Sequence, residues 1–274
     1  MAAGNRIRAI ARLAVFAVGS WLVVARAARA LLAPFPRRWA LSCPHVSRWA
    51  RLGSRCLGIV PAAAGTVPGA GALVVANHQG YADVCTIGGL FPSIFAARHD
   101  MRGWPMLGAL AASGATIFIN RDNKRAGYRG VAQVAAALRA GATVVAFPEG
   151  TSTDGSGLLP FRTGVFQAAV DAGAAVVPAA IRYRTIDGEP VTDANRDVVG
   201  WFRGENFVGH ILRLGSHRRT EAEVTFAAPL APPHGDRRTL AAAAEASVRA
   251  LLGIAAAERP AAFGRVLDTT TGVT

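Results

Sequence analysis

The first 82 residues contain neither aspartate nor glutamate. They carry ten arginines: Arg6, Arg8, Arg12, Arg26, Arg29, Arg37, Arg38, Arg48, Arg51 and Arg55. The chain has thirty basic residues, so twenty remain beyond that stretch against seventeen acids, and most of the net charge of +13 is an N-terminal property. Lysine is nearly absent, Lys124 being the one example. Cysteine is scarce: Cys43, Cys56 and Cys85 are odd in number, with no CxxC or metal-ligand spacing. That excludes a disulfide framework and predicts buried thiols in a reducing compartment. There is no P-loop, no GxGxxG after a strand and no zinc-ligand spacing. The nearest approach to a nucleophile elbow, Gly150-Thr151-Ser152-Thr153-Asp154, lacks the closing glycine. Charged residues make up 17% and hydrophobic ones 51% of 274 residues, too apolar for disorder and enough for one large domain.

What is present begins with basic charge interleaved with Leu, Val, Phe and Trp, a pattern suited to anionic lipid headgroups. Nucleic acid is the competing partner for such charge, but no zinc-finger or ribonucleoprotein motif accompanies it, so no nucleic-acid partner is expected. The uncharged run Leu13 to Ala25 is thirteen residues, short of the roughly twenty that cross hydrocarbon. It has signal-peptide length, yet more Arg-rich sequence follows it in place of a cleavage site and a polar mature start. The expectation is a helix lying in the cytoplasmic leaflet, its flanking arginines able to snorkel. Ala33-Pro34-Phe35-Pro36 breaks it, and a second basic helix is expected over Arg37–Leu57. Residues 1–60 thus read as membrane-associated helices, 61–71 as a linker, 72–260 as the main domain and 261–274 as a tail that frays beyond Gly264.

From Ala72 short apolar runs alternate with helical ones. Strands are expected at Ala72–Ala76, Ile94–Ala97, Thr116–Ile119, Thr143–Phe147, Ala175–Ile181 and Glu221–Phe226. Helices are expected at Asp83–Leu90, Met106–Ala112, Tyr128–Arg139, Gly164–Ala172 and Arg237–Ala257. This alternation predicts an α/β fold with a largely parallel central sheet covered by helices, preceded by the N-terminal helical pair. In such sheets ligands sit beyond the carboxyl ends of the strands.

Two blocks lie at such ends. In Asn77-His78-Gln79-Gly80-Tyr81-Ala82-Asp83 an imidazole leaves the first strand, Gly80 permits a tight turn, and Asp83 lies where a helix begins. The turn can return the carboxylate to the imidazole, fixing its tautomer and raising its basicity, as activation of a hydroxyl requires. The second block, Phe147-Pro148-Glu149-Gly150-Thr151, also follows an apolar strand.

In that order and spacing the two blocks resemble the glycerolipid acyltransferases typified by lysophosphatidic acid acyltransferase, over roughly residues 72–230. The resemblance implies acyl transfer from a thioester to a lysolipid hydroxyl. His78 would be the base and Asp83 its orienter, attack would be direct, and no metal or cofactor would be needed beyond acyl carrier protein or coenzyme A as thioester co-substrate. The segment through Gly114-Ala115-Thr116-Ile117-Phe118-Ile119-Asn120-Arg121 is similar to the family's next block, which implies that Arg121 binds an acceptor phosphate, a task a guanidinium suits. Asn120 stands where many members have aspartate. Glu149, Gly150 and Thr151 match the third block, with Glu149 organising the site or the acceptor, Gly150 allowing close approach and Thr151 able to donate a hydrogen bond. Ser152 stands where many phosphatidate-forming members have arginine. The continuation through Leu158-Leu159-Pro160-Phe161-Arg162 is similar to the lyso-ornithine-lipid acyltransferase subgroup, with Arg162 a further headgroup contact. Val176-Val177-Pro178-Ala179-Ala180 matches the fourth block. The expected acceptor is a lysophospholipid (1-acyl-glycerol-3-phosphate), with lyso-ornithine lipid or another lyso-aminolipid as the alternative, and a non-catalytic lipid-binding protein is the rival class. A peripheral or monotopic position on the cytoplasmic face of the inner membrane is expected. His45, His99, His210, His217 and His234 lack a partner pattern and read as surface or structural.

Overall fold

The computed structural model describes residues 3–104, 107–202 and 204–255. Helices α1 (Ala3–Leu31) and α2 (Arg37–Leu57) come first. The strands are β1 (Ile59–Ala64), β2 (Leu73–Ala76), β3 (Ile94–Arg98), β4 (Ile117–Ile119), β5 (Val144–Ala146), β6 (Val176–Ile186), β7 (Glu189–Pro190) and β8 (Thr220–Phe226). Interspersed are α3 (Tyr81–Gly88), α4 (Leu107–Ser113), α5 (Lys124–Arg139), α6 (Gly164–Ala172), α7 (Phe207–Ser216) and α8 (Arg237–Leu252). The strands form one sheet in the order β1-β8-β6-β2-β5-β3-β4, with β7 on β6. Neighbours run parallel except at β6–β8 and β6–β7. The fold is therefore mixed α/β with a mostly parallel sheet flanked by helices, as the alternation of apolar runs predicts.

The two central strands explain where the site forms. Every residue of β2 and β5 is buried, which is why both read as unbroken apolar runs rather than alternating ones. They pair directly, Leu73 opposite Val144 and Val75 opposite Ala146. Whatever follows Ala76 and Ala146 in sequence is thus side by side in space, although the two blocks are about seventy residues apart.

Several boundaries differ from expectation for identifiable reasons. The linker expected over 61–71 begins inside β1, which pairs in parallel with β8 from Ile59 to Ala64. Pro61 concealed this strand; proline is tolerated because β1 lies at the sheet edge. Helix α3 starts at Tyr81, two residues before Asp83. Helix α5 starts at Lys124 because the Asn123 side chain caps it, accepting from the Ala126 N–H. Helix α8 stops at Leu252, where Gly253 takes a left-handed φ of 63°. Helix α7 had no counterpart in the expected elements, and β6 runs on to Ile186 through its pairing with β8. Met106, the expected start of α4, and the tail beyond Gly264 lie outside the described residues.

The N-terminal helices pack against the domain: α1 on α2 and α7, α2 on α3. Two arginines of the acid-free stretch are used here. Arg8 donates to the Ser216 carbonyl at 3.0 Å, and Arg12 to those of Gly215, His217 and Arg218 at 3.1, 2.6 and 3.2 Å. These carbonyls end α7, so the guanidinium groups satisfy acceptors a helix C-terminus leaves open, at its negative end. The opposite face of α1 presents Ile7, Ile10, Val15, Val18, Trp21 and Leu22 to solvent, at helical spacing. Leu32 and Phe35 continue this apolar surface around the corner into α2, where Arg37, Arg48, Arg51 and Arg55 are exposed. No helix among the described residues is long and apolar enough to cross a membrane. All three cysteines are free and buried.

Candidate active site

His78 stands two residues past the end of β2, its ring stacked on Phe147 with centroids 4.1 Å apart and planes at 13°. Its Nδ1 lies 2.9 Å from Asp83 Oδ2, with Asp83 fully buried and His78 partly open. The same Oδ2 accepts from the backbone N–H of Gln79 and of Gly80, the latter at 3.0 Å. Oδ1 accepts from the Tyr183 hydroxyl at 2.8 Å. An ionised carboxylate can only accept, so Nδ1 carries the proton and Nε2 keeps its lone pair, the state a general base needs. Burial first, and the Asp83 charge second, hold the Tyr183 phenol well above its ordinary pKa, so it serves as a fixed donor.

Glu149 lies beneath this dyad. It is only 2% exposed; one oxygen accepts from the His78 N–H at 2.7 Å and the other from the Leu159 N–H at 2.8 Å. Burial pushes its pKa from 4.5 to about 7, against the two N–H bonds and His78, which pull it down. The carboxylate thus ties the His78 turn to the loop after β5 and is closed off from solvent.

Gly150 follows with φ +81°, where a β-carbon would run into Arg121 and would sit 2.7 Å from Arg162 Nε. The left-handed φ favours glycine there, and the absent β-carbon leaves room for the two guanidinium groups. Arg121 donates weakly to the Gly150 carbonyl at 3.4 Å. Part of Arg121 is open to solvent, but burial of the guanidinium, then the charges of Arg162 and Arg98, lower its pKa to about 10, so it remains a cation at neutral pH. Thr151 lines the cavity beside His78 and its hydroxyl makes no hydrogen bond among the described residues.

The site opens into a cavity of about 400 Å³ lined by His78, Phe147, Tyr81 and Trp201 and walled by Phe16 of α1 and Trp49 of α2. A second cavity, about 590 Å³, adjoins it and carries Arg121 and Arg162. The geometry therefore brings His78, Asp83, Gly150, Thr151 and Arg121 together, sets Glu149 under them, and places Arg162 on the second cavity only.

Three contributors lay outside the sequence-level set. Tyr183 is one: its partner is one hundred residues away, and a lone tyrosine in an apolar strand reads as core. Trp201 is another; its N–H donates to the Gln79 carbonyl at 2.8 Å and its carbonyl accepts from Ser152 Oγ at 2.7 Å, strapping both blocks together. His210 is the third: buried, it contacts the Tyr81 hydroxyl through Nδ1 at 2.8 Å, and its Nε2 lies near the carbonyls of Asp197 and Gly200. It is structural, as expected of a histidine without a partner motif.

Comparison with known proteins places these features in context. The family model described as Acyltransferase matches residues 60–182. The chain is 35% identical over 196 residues to a lyso-ornithine lipid O-acyltransferase of Pseudomonas aeruginosa, covering 70% of this chain and 72% of that protein. It is 40% identical over 113 residues to a 1-acyl-sn-glycerol-3-phosphate acyltransferase of Neisseria gonorrhoeae, covering 41% of this chain and 44% of that protein, less than half its length. The crystal structure of the 1-acyl-sn-glycerophosphate acyltransferase PlsC of Thermotoga maritima superposes with a TM-score of 0.62 at 17% identity, covering 91% of this chain and 96% of that one.

Proposed function

Because this chain belongs to the glycerolipid and lysolipid acyltransferase family, we propose that it is an O-acyltransferase moving a fatty acyl group from a thioester to a lysolipid hydroxyl. The observation that carries the reading is the Nδ1–Asp83 bond, which leaves the lone pair of Nε2 free on a histidine that lines a largely apolar cavity. Nε2 takes the hydroxyl proton as the oxygen attacks the thioester carbonyl. The tetrahedral adduct expels the thiolate, which recovers that proton from His78, leaving ester and free thiol. The acyl chain lies along Phe16, Trp49 and Phe147, away from water.

For the acceptor we favour a lyso-ornithine lipid. Ser152 is neutral and its hydroxyl is committed to the Trp201 carbonyl, so the position that is arginine in many phosphatidate-forming members supplies no phosphate ligand here. The likeness to lyso-ornithine lipid acyltransferases also extends over more of the chain. Lysophosphatidate is the second reading, favoured by Arg121, a cation beside Gly150 whose only hydrogen bond among the described residues is the long one to a carbonyl.

We place the enzyme on an anionic membrane surface, on the cytoplasmic face, through the apolar stripe of α1 and the exposed arginines of α2. The same two helices wall the acyl cavity, so docking would bring it to the lipid. The test is product detection by mass spectrometry from purified protein on vesicles, given acyl-coenzyme A or acyl carrier protein and either lysolipid. Diacyl ornithine lipid should form faster than phosphatidate. Absence of both products would return weight to the lipid-binding alternative.

A further inference from the structure

The second cavity adjoins the first through Ala96, Ala97, Arg121 and Phe147, which line both. Its outer wall carries Lys124, Arg162 and Arg237 and no acidic side chain. None of these three side chains makes an ion pair or hydrogen bond among the described residues, whereas Arg98, Arg184, Arg213 and Arg249 each hold a carboxylate. Lys124 and Arg237 are moreover the first residues of α5 and α8, where the helix dipole disfavours a cation. Three elements thus converge unneutralised charge on one concavity, at a cost to their own stability.

Resting on the acyl-transfer reading above, we propose that this cavity binds the phosphate-bearing arm of the thioester donor. The acyl chain would lie in the apolar cavity and the thioester at the shared wall by Phe147, against which His78 is stacked. Polarity separates the two halves of such a donor as it separates the two cavities. A lyso-ornithine headgroup fits less well, because its carboxylate is accompanied by an ammonium that four cations would repel, whereas a phosphate brings no such cation. Coenzyme A and a phosphopantetheine-bearing carrier protein share the required chemistry.

The test is Lys124→Gln/Arg237→Gln, with Arg129→Gln/Arg238→Gln as an equal loss of charge outside the cavity lining. KM is measured for acyl-coenzyme A, for acyl carrier protein and for the lysolipid. Binding of free coenzyme A and of unacylated holo carrier protein is measured by calorimetry, without turnover. Donor KM should rise at least tenfold for one or both carriers, acceptor KM should move less than twofold, and the control should match wild type. Whichever carrier is affected is the source of the phosphate. A rise in acceptor KM alone, or no change in either, overturns the assignment. Should wild type give no product with any thioester, the acyl-transfer reading fails separately; calorimetry still decides, since loss of carrier binding in the double variant supports the cavity and no binding to wild type refutes it.

Discussion

Asp83→Asn removes a charge while leaving its shape, and the surrounding donors dictate how the amide must sit. The N–H groups of Gln79 and Gly80 both point at Oδ2 and cannot rotate, so the amide oxygen has to occupy that position. The NH2 group then faces Tyr183, whose oxygen can accept from it and whose proton can turn to Thr86 Oγ1, 3.4 Å away. His78 keeps its proton on Nδ1 and its lone pair on Nε2. What disappears is the anion beside the imidazolium that forms as the hydroxyl is deprotonated. With charge centres about 4 Å apart and an effective dielectric of about 20, that attraction is about 4 kcal/mol, or on the order of 10³-fold in kcat. Steady-state kinetics with a fixed acyl thioester and acceptor measure it, with thermal denaturation as the check on folding. KM should change little, because the ground-state geometry is preserved. A kcat within tenfold of wild type would show that the Asp83 charge does not stabilise the transition state; an effect confined to KM would make Asp83 part of substrate binding.

Further outcomes follow from the same contacts. Tyr183→Phe takes one donor from a buried carboxylate, which costs about 1.5–3 kcal/mol of stability; kcat should fall about tenfold with KM unchanged, and wild-type kcat and melting temperature would refute the role. Glu149 holds a proton in the folded chain between pH 4.5 and about 7 that the unfolded chain has released, so its contribution to stability falls by about 3 kcal/mol as pH rises across that window and is flat above it. Denaturant midpoints at pH 5, 6 and 8 should therefore show a pH-dependent difference between wild type and Glu149→Gln; a constant difference would contradict the raised pKa. Trp21→Asp/Leu32→Asp places carboxylates on side chains that are 78% and 85% exposed on the outer face of α1 and the corner that follows it. At about 1.5–3 kcal/mol for each apolar side chain withdrawn from lipid, binding to anionic vesicles should fall at least tenfold with the melting temperature unchanged. Unaltered vesicle binding would rule out that face as the membrane contact.

Much of this architecture was legible because its signals are local. The central strands β2 and β5 are short apolar runs, and the His78 turn and the Glu149 loop each follow one directly, so strand ends located the site before any contact was known. What stayed hidden depends on partners distant in sequence. β1 contains Pro61 and becomes a strand through β8, far away in the chain; nothing in Ile59–Ala64 announces that. Tyr183 and Trp201 act on Asp83, Gln79 and Ser152 through bonds spanning roughly 50 to 120 residues, without a motif of their own. Charge was partly misleading for the same reason. Arg8 and Arg12 look like the rest of the basic N-terminal stretch, but they close the end of α7, a ten-residue helix interrupted by two glycines.

The most direct test of the account compares wild type with His78→Ala on anionic vesicles, following ester formation by mass spectrometry alongside vesicle binding and thermal denaturation. The account predicts that acyl transfer to the lysolipid falls at least a thousandfold while membrane binding and melting temperature stay at wild-type values. Acyl transfer within tenfold of wild type would remove His78 as the base and with it the mechanism derived from the His78–Asp83 geometry.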